Sequence, residues 1–300
     1  MKPLSDVFQD VIQEASERSK TSTLVTEHNV YQSGQREIIP LLDTIVEALL
    51  LPGSGVGGME HLEKLLDLAE SGKSCLLLLE HYSNLDLPIF SYLLRKEARG
   101  AAVSDAIVAI AGMKLNETSH TVAAFSGAYT RIVIYPSRSL QGLDPEKDRS
   151  EIIRSNAINR AAMKSLIEVK RQGKLILVFP SGTRYRPWDP STKKGVREID
   201  SYIKSFDYMC FVAINGEVLH VREGSMLDDY ISRDVVRCTA SPVVSCGDFR
   251  NSARSKAETD GIADKKQAAA DAIMDHLDTL HEQAETDRQK FLANAPQNDI

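Results

Sequence analysis

A histidine and an aspartate, His81 and Asp86, stand where the apolar run "CLLLLE" breaks into "HYSNLD". A carboxylate that folds back onto one imidazole nitrogen leaves the other free to accept a proton, which is what a general base needs. A second apolar run, "KLILVF", breaks into "PSGTRYRP" and places Arg184 and Arg186 on alternate residues of a predicted extended segment. Two guanidiniums on one side repel unless an anion sits between them, and phosphate suits the arginine fork. A third run, "TRIVIYP", is followed by Arg138. Each signal alone is weak. A chain with seven histidines shows a His–Asp pair at this spacing readily by accident, and Arg-x-Arg is common on exposed basic loops.

The elements that must position these residues follow from hydrophobic period. Short apolar runs, "SCLLLLE", "AIVAIAG", "TRIVIYP", "KLILVFP" and "MCFVAIN", then "DVVRCTASPVV", alternate with helical segments. Between the third and fourth runs "RSNAINRAAMKSLIEVKRQG" reads as a long amphipathic helix closed by Gly173. This rhythm predicts an α/β fold, a mixed, mostly parallel sheet flanked by helices. In such sheets the carboxyl ends of the strands gather at one edge, so the base and the arginines would share a cleft. His81 falls in a turn and Asp86 in the first turn of a helix, with Ser83 or Asn84 as the expected N-cap. The N-terminal residues look helical and carry no strand-like run, and residues 265 to about 292 read as a helix packed on the sheet.

Composition narrows the classes. A chain of 300 residues with 42% hydrophobic and 26% charged residues is of the globular type, and a net charge of −6 argues against a general nucleic-acid binder. The four cysteines form no C-x-x-C pair and read as reduced core thiols. No His/Cys/Asp cluster has metal-ligand spacing. The N-terminal "MKPLSDVFQD" lacks an apolar signal region, and the most apolar stretch, 38–51, is too short to span a bilayer. Any membrane contact is then expected to be peripheral. "GSGVGG", residues 53–58, matches G-x-G-x-x-G with Glu80 downstream as a ribose-binding acid, but Pro52 and the helical pattern before it favour a flexible turn between two helices.

The block "HYSNLD" resembles the His-x4-Asp motif of the glycerolipid acyltransferases, and "FPSGTRYRP" looks like their later motif, in which Pro, a small residue or Glu, Gly and Arg follow a strand. The order "AGMKL", "FSGAYTRIVIYPSRS", "RAAMKSLIEVKRQGKLILVFPSGTRYRPWDPST" is similar to the soluble, plastid-type glycerol-3-phosphate acyltransferases over roughly residues 75–290. The resemblance implies a small helical N-terminal domain, residues 1–55, before an α/β catalytic domain, residues 56–300. It implies His81 and Asp86 as the catalytic pair, Arg184 and Arg186 as phosphate ligands, and Ser181 and Gly182 as the turn between strand and arginines. The family's basic pair is here Arg138 with Ser139, and Trp188 stands beside the family's Pro-Asp-Pro.

The implied reaction moves a fatty acyl group from acyl carrier protein or coenzyme A to the sn-1 hydroxyl of glycerol 3-phosphate, with no cofactor beyond the thioester co-substrate. A cytoplasmic or stroma-like soluble compartment is the matching expectation. Rival readings are acylation of lysophosphatidate at sn-2, a dinucleotide-dependent oxidoreductase built on residues 53–58, and a non-catalytic lipid-phosphate or carrier-binding module.

Overall fold

The computed structural model describes residues 1–117, 120–140, 142–224 and 226–293. Its main sheet has nine strands among the described residues: β2 (Tyr31–Gln32), β3 (Gly55–Gly57), β4 (Cys75–Leu79), β5 (Ile107–Gly112), β6 (Arg131–Ile134), β7 (Leu175–Val178), β8 (Tyr208–Asn215), β11 (Arg237–Ala240) and β12 (Val244–Ser245). The order is β2-β6-β5-β7-β4-β8-β11-β3, with β12 paired on β8. The five central strands, β6-β5-β7-β4-β8, run parallel, and antiparallel pairings flank them. A small antiparallel sheet joins β1 (Lys2–Pro3), β10 (Tyr230–Ile231) and β9 (Leu219–His220).

A parallel strand covered on both faces needs apolar residues at every position, and β4 reads Cys-Leu-Leu-Leu-Leu, all buried. Alternate side chains feed different layers. Cys75, Leu77 and Leu79 join a core with the N-terminal helices and the helices Met59–Glu70 and Asp86–Leu94. Leu76 and Leu78 join a second core with the helices Arg149–Val169 and Lys265–Leu292. β7 divides the same way, Leu175 and Leu177 to the first core and Ile176 and Val178 to the second. The mixed, mostly parallel sheet flanked by helices is therefore what this alternation builds.

The long helices follow their sequence signals. Lys265–Leu292 starts where the Asp264 carboxylate accepts the Lys266 and Gln267 N–H groups. Arg149–Val169 makes the crossover from β6 to β7, and the turn behind it carries Gly173 at φ +67°. Among the described residues no helix is long and apolar enough to cross a membrane.

Two local expectations fail. The N-terminal region contains strands β1 and β2, each of two residues, too short to show any hydrophobic period. Residues 53–58 are more than a flexible turn, because Gly55–Gly57 forms an edge strand parallel to β11. Its glycines serve close backbone approach. A Cβ on Gly55 would lie 2.8 Å from Arg237 Nη1, and one on Gly58, at φ +72°, would lie 2.4 Å from the Ala240 carbonyl oxygen.

Gly58 and Gly72 make a controlled comparison, because Gly72 has φ +88° but nothing within 4 Å of its missing Cβ. Gly72→Ala should cost only the left-handed backbone penalty, about 1–2 kcal/mol. Gly58→Ala should cost that plus about 1–3 kcal/mol for displacing the Ala240 carbonyl. Urea unfolding of the two variants checks this, and equal costs would remove the close approach as the reason for the Gly58 position.

Candidate active site

Strand β4 delivers its last ladder bond at Glu80, whose N–H donates to the Val212 carbonyl at 3.1 Å, and His81 follows in the turn. The helix Asp86–Leu94 then begins at Asp86, with Leu85 in the N-cap position and no side-chain cap bond. The predicted cap fails because Ser83 is otherwise engaged: its hydroxyl accepts the Leu85 N–H at 3.1 Å and donates to Asp86 Oδ1 at 2.8 Å. Asp86 Oδ2 accepts the N–H of Tyr82 at 2.7 Å and of Ser83 at 2.9 Å. The same oxygen lies 2.8 Å from His81 Nδ1.

A buried carboxylate at the first residue of a helix, facing these N–H donors, has its oxygens satisfied by hydrogen bonds. An ionised carboxylate only accepts, so in the contact with Asp86 it is His81 Nδ1 that donates, and in the neutral ring Nε2 is then the nitrogen with a free lone pair. Among the described residues Nε2 has no protein partner. The imidazole is fixed from a second side by stacking on Phe179, with ring centroids 4.0 Å apart and 20° between planes. His81 is thus aimed from two sides and 16% exposed, while Asp86 behind it is 4% exposed.

Because β4 and β7 are neighbours in the sheet, the second motif opens beside the first. Gly182, at φ +66°, makes the turn, with its N–H on the Phe179 carbonyl at 2.9 Å. Ser181 is buried, and its hydroxyl is spent on the Thr183 carbonyl at 2.7 Å. The Tyr185 N–H donates to the His81 carbonyl at 2.8 Å, so the residue between the two arginines is tied to the turn that carries the imidazole.

The arginines themselves differ. Arg184 Nη1 donates to Asp229 Oδ2 at 2.7 Å. Asp229 is fully buried, and its Oδ1 accepts the Arg222 N–H at 2.8 Å. Burial pushes the Asp229 carboxyl above its ordinary range, with the Arg222 N–H and the Arg184 guanidinium pulling the other way. Arg186 is exposed, and among the described residues its guanidinium has no ion-pair partner; its backbone N–H is held by Thr192 Oγ1 at 2.9 Å. Arg138 is likewise exposed, in the single turn Ser137–Leu140 after β6. Two strands, β5 and β7, separate β6 from β4, so Arg138 lies farther along the same edge. The structure brings His81, Asp86 and the 179–186 segment into one cluster. It anchors Arg184 through a carboxylate and leaves Arg186 and Arg138 open to solvent.

Sequence reasoning missed a second set of contacts behind the turn. Glu80 is 4% exposed. Its Oε1 accepts the Tyr82 hydroxyl at 3.0 Å, and its Oε2 accepts the Ile214 N–H at 2.8 Å and faces His281 Nδ1 at 2.9 Å. His281 comes from the C-terminal helix, whose carbonyl at that residue accepts Asn215 Nδ2 at 3.0 Å. The Glu80 carboxylate is therefore consumed inside the protein and is unavailable to a ribose, which removes the acid on which the dinucleotide reading depended. The same helix clamps the motif loop through Lys193–Asp278 at 2.7 Å and through Gln267 Nε2 on the Gly195 carbonyl at 3.1 Å. Between loop and helix lies a cavity of about 20 Å³, lined in part by His81, Tyr82 and Met274 and holding room for about one water. None of the cysteines serves as a nucleophile: all four are buried, and burial pushes the Cys75, Cys210 and Cys246 thiols up to about 12.

Burial disfavours the His281 imidazolium, but the hydrogen bond and charge of Glu80, with Glu285 behind it, outweigh both burial and the opposing Lys193, so the pKa is raised. A raised histidine stabilises the fold fully below its ordinary pKa and loses that contribution as pH climbs through the folded value. The melting-temperature gap between wild type and His281→Gln should therefore be widest in mild acid and narrow as the solution turns alkaline. A gap independent of pH would show that the pair acts as a neutral hydrogen bond.

A family model described as acyltransferase matches residues 55–226, more than half of the chain. No curated protein gives a significant match. The matched span contains the His81–Asp86 pair, Arg138 and the turn from Ser181 to Arg186, and it stops short of Asp229 and His281. An imidazole oriented by a buried carboxylate, beside arginines at the carboxyl edge of a parallel sheet, is an arrangement suited to activating a hydroxyl for attack on an acyl group. The chain belongs to the acyltransferase family, enzymes that transfer acyl groups to lipid-type acceptors.

Proposed function

We propose that this enzyme transfers a fatty acyl group from a thioester, on acyl carrier protein or coenzyme A, to the sn-1 hydroxyl of glycerol 3-phosphate, giving lysophosphatidate. The observation that carries the proposal is the 2.8 Å bond from the Tyr185 N–H to the His81 carbonyl, which sets the arginine segment against the turn of the base. An acceptor gripped by its phosphate would then present a hydroxyl to His81.

In the proposed step His81 Nε2 removes the hydroxyl proton as the oxygen attacks the thioester carbonyl. The tetrahedral adduct collapses with cleavage of the carbon–sulfur bond, and the imidazolium returns the proton to the departing thiolate. Asp86 stabilises the transient imidazolium and keeps the ring in register. The acceptor oxygen is itself the nucleophile, so no covalent acyl-enzyme is required. Arg184, Arg186 and Arg138 are assigned to the phosphate. Asp229 occupies one edge of the Arg184 fork and leaves its remaining N–H groups for the ligand. Holding the acceptor lowers the barrier mainly through proximity.

His81→Ala should cut turnover by about 10²–10⁴ through loss of proton transfer, and should also cost about 1–3 kcal/mol of stability because Asp86 loses one of its four donors and Phe179 its stacking partner. Asp86→Asn should do both, since its amide places a donor among the four donors now facing the carboxylate, at about 1–3 kcal/mol. Turnover at saturating substrate and chemical denaturation, measured on both variants, check the pair. A fully active His81→Ala enzyme would falsify the mechanism.

Arg184→Ala and Arg186→Ala should each raise the KM for glycerol 3-phosphate by about tenfold or more, the worth of one charge-assisted contact of about 1.5–3 kcal/mol. Only Arg184→Ala should also destabilise the fold, because it strands Asp229 in the interior. Steady-state assays with glycerol 3-phosphate and with lysophosphatidate as rival acceptors test the assignment. A clear preference for lysophosphatidate would move the enzyme to sn-2 acylation.

A further inference from the structure

The helix Arg149–Val169 is apolar on two sides. Its inner side, Ser155, Ile158, Ala162, Leu166 and Val169, is buried against the sheet. Its outer side carries three of the large exposed hydrophobic residues, Ile153 at 59%, Met163 at 50% and Ile167 at 61% exposure. Steps of three, four and seven residues put Arg149, Ile153, Arg160, Met163, Lys164 and Ile167 along one stripe, which Arg171 extends just past the helix end.

The charges of the helical stripe itself, Arg149, Arg160 and Lys164, are one-signed, with the exposed Glu168 at its border and Arg171 beyond the helix end engaged by the Gly72 carbonyl. Among the described residues Arg149, Arg160 and Lys164 have no carboxylate partner, whereas Arg154, around the helix, is paired with both Glu117 and Glu151. The molecule as a whole carries −6, so this is a local basic face on an acidic protein. Lysines and arginines set between exposed Ile and Met side chains suit a bilayer interface, where apolar tips enter the acyl boundary and cations meet lipid phosphates. Protein–protein interface cores, by contrast, are depleted of lysine. Position agrees with chemistry. The helix crosses over from β6 to β7, so its Arg149 end starts at the carboxyl edge of the sheet, where His81 and Arg138 lie.

We propose that the outward face of the Arg149–Val169 helix docks the enzyme onto an anionic phospholipid surface. The proposal is independent of which acceptor the site takes. It lays the helix along the membrane, with the Arg149 end at the carboxyl edge of the sheet.

The test is sedimentation of the full chain with phosphatidylcholine vesicles, with and without phosphatidylserine, at two salt concentrations. The protein should pellet with the anionic vesicles only, and less at the higher salt. Arg160→Glu combined with Lys164→Glu should weaken binding by more than about tenfold. Ile153→Ser combined with Ile167→Ser should also weaken it, with circular dichroism, melting temperature and turnover in a vesicle-free assay unchanged in both variants. Wild-type protein that stays in the supernatant, or variants that pellet as well as wild type, would overturn the proposal. So would a dimer that Ile167→Ser separates into monomers while vesicle binding is absent, which would assign the stripe to a second copy of the chain.

Discussion

The site depends on satisfying one carboxylate that is almost wholly removed from water. Asp86 is satisfied because its oxygens meet the N–H groups of Tyr82 and Ser83, the Ser83 hydroxyl and His81 Nδ1. All four donors come from the turn between β4 and the helix that Asp86 opens. The turn is folded around the carboxylate as much as the carboxylate is held by the turn. That requirement explains why no ordinary side-chain cap starts this helix, and why the imidazole can present only one nitrogen to a substrate.

The sheet supplies what the turn cannot. Parallel neighbours β4 and β7 end side by side, so the residue after β7, Phe179, becomes the surface on which His81 stacks. The same adjacency lets Tyr185 reach the His81 carbonyl. Both strands are apolar on both faces because two layers of helices cover them, and those layers fix their ends in space. The geometry of the candidate site is here a property of strand order as well as of the turn.

What the sequence disclosed and what it hid divide by chain separation. His81 and Asp86 are local, and the apolar runs that became β4, β5, β6, β7 and β8 carry their own period. The partners that complete the cluster are remote. Arg184 and Asp229 are 45 positions apart, and Glu80 and His281 are 201 apart, so no spacing rule could pair them. From the sequence Glu80 reads only as a possible ribose-binding acid, and its burial and its partner come from the fold. The glycine-rich 53–58 segment was misread for a different reason. An edge strand of Gly-Val-Gly has almost no side chains with which to show alternation, and its identity lies in backbone pairing with β11.

The contact between Glu80 and His281 has a consequence for biosynthesis. Strands β4 and β7 and the His81 turn leave the ribosome well before the helix that carries His281, so the nascent chain holds a buried-type carboxylate with nothing yet to neutralise it. Until that helix docks, Glu80 must stay hydrated, and the turn next to it lacks its backing. The long sequence separation makes this docking slow compared with the local turn. The backing of the His81 turn through Glu80 is therefore completed only when the C-terminal helix docks, whereas the His81–Asp86 contact itself is local.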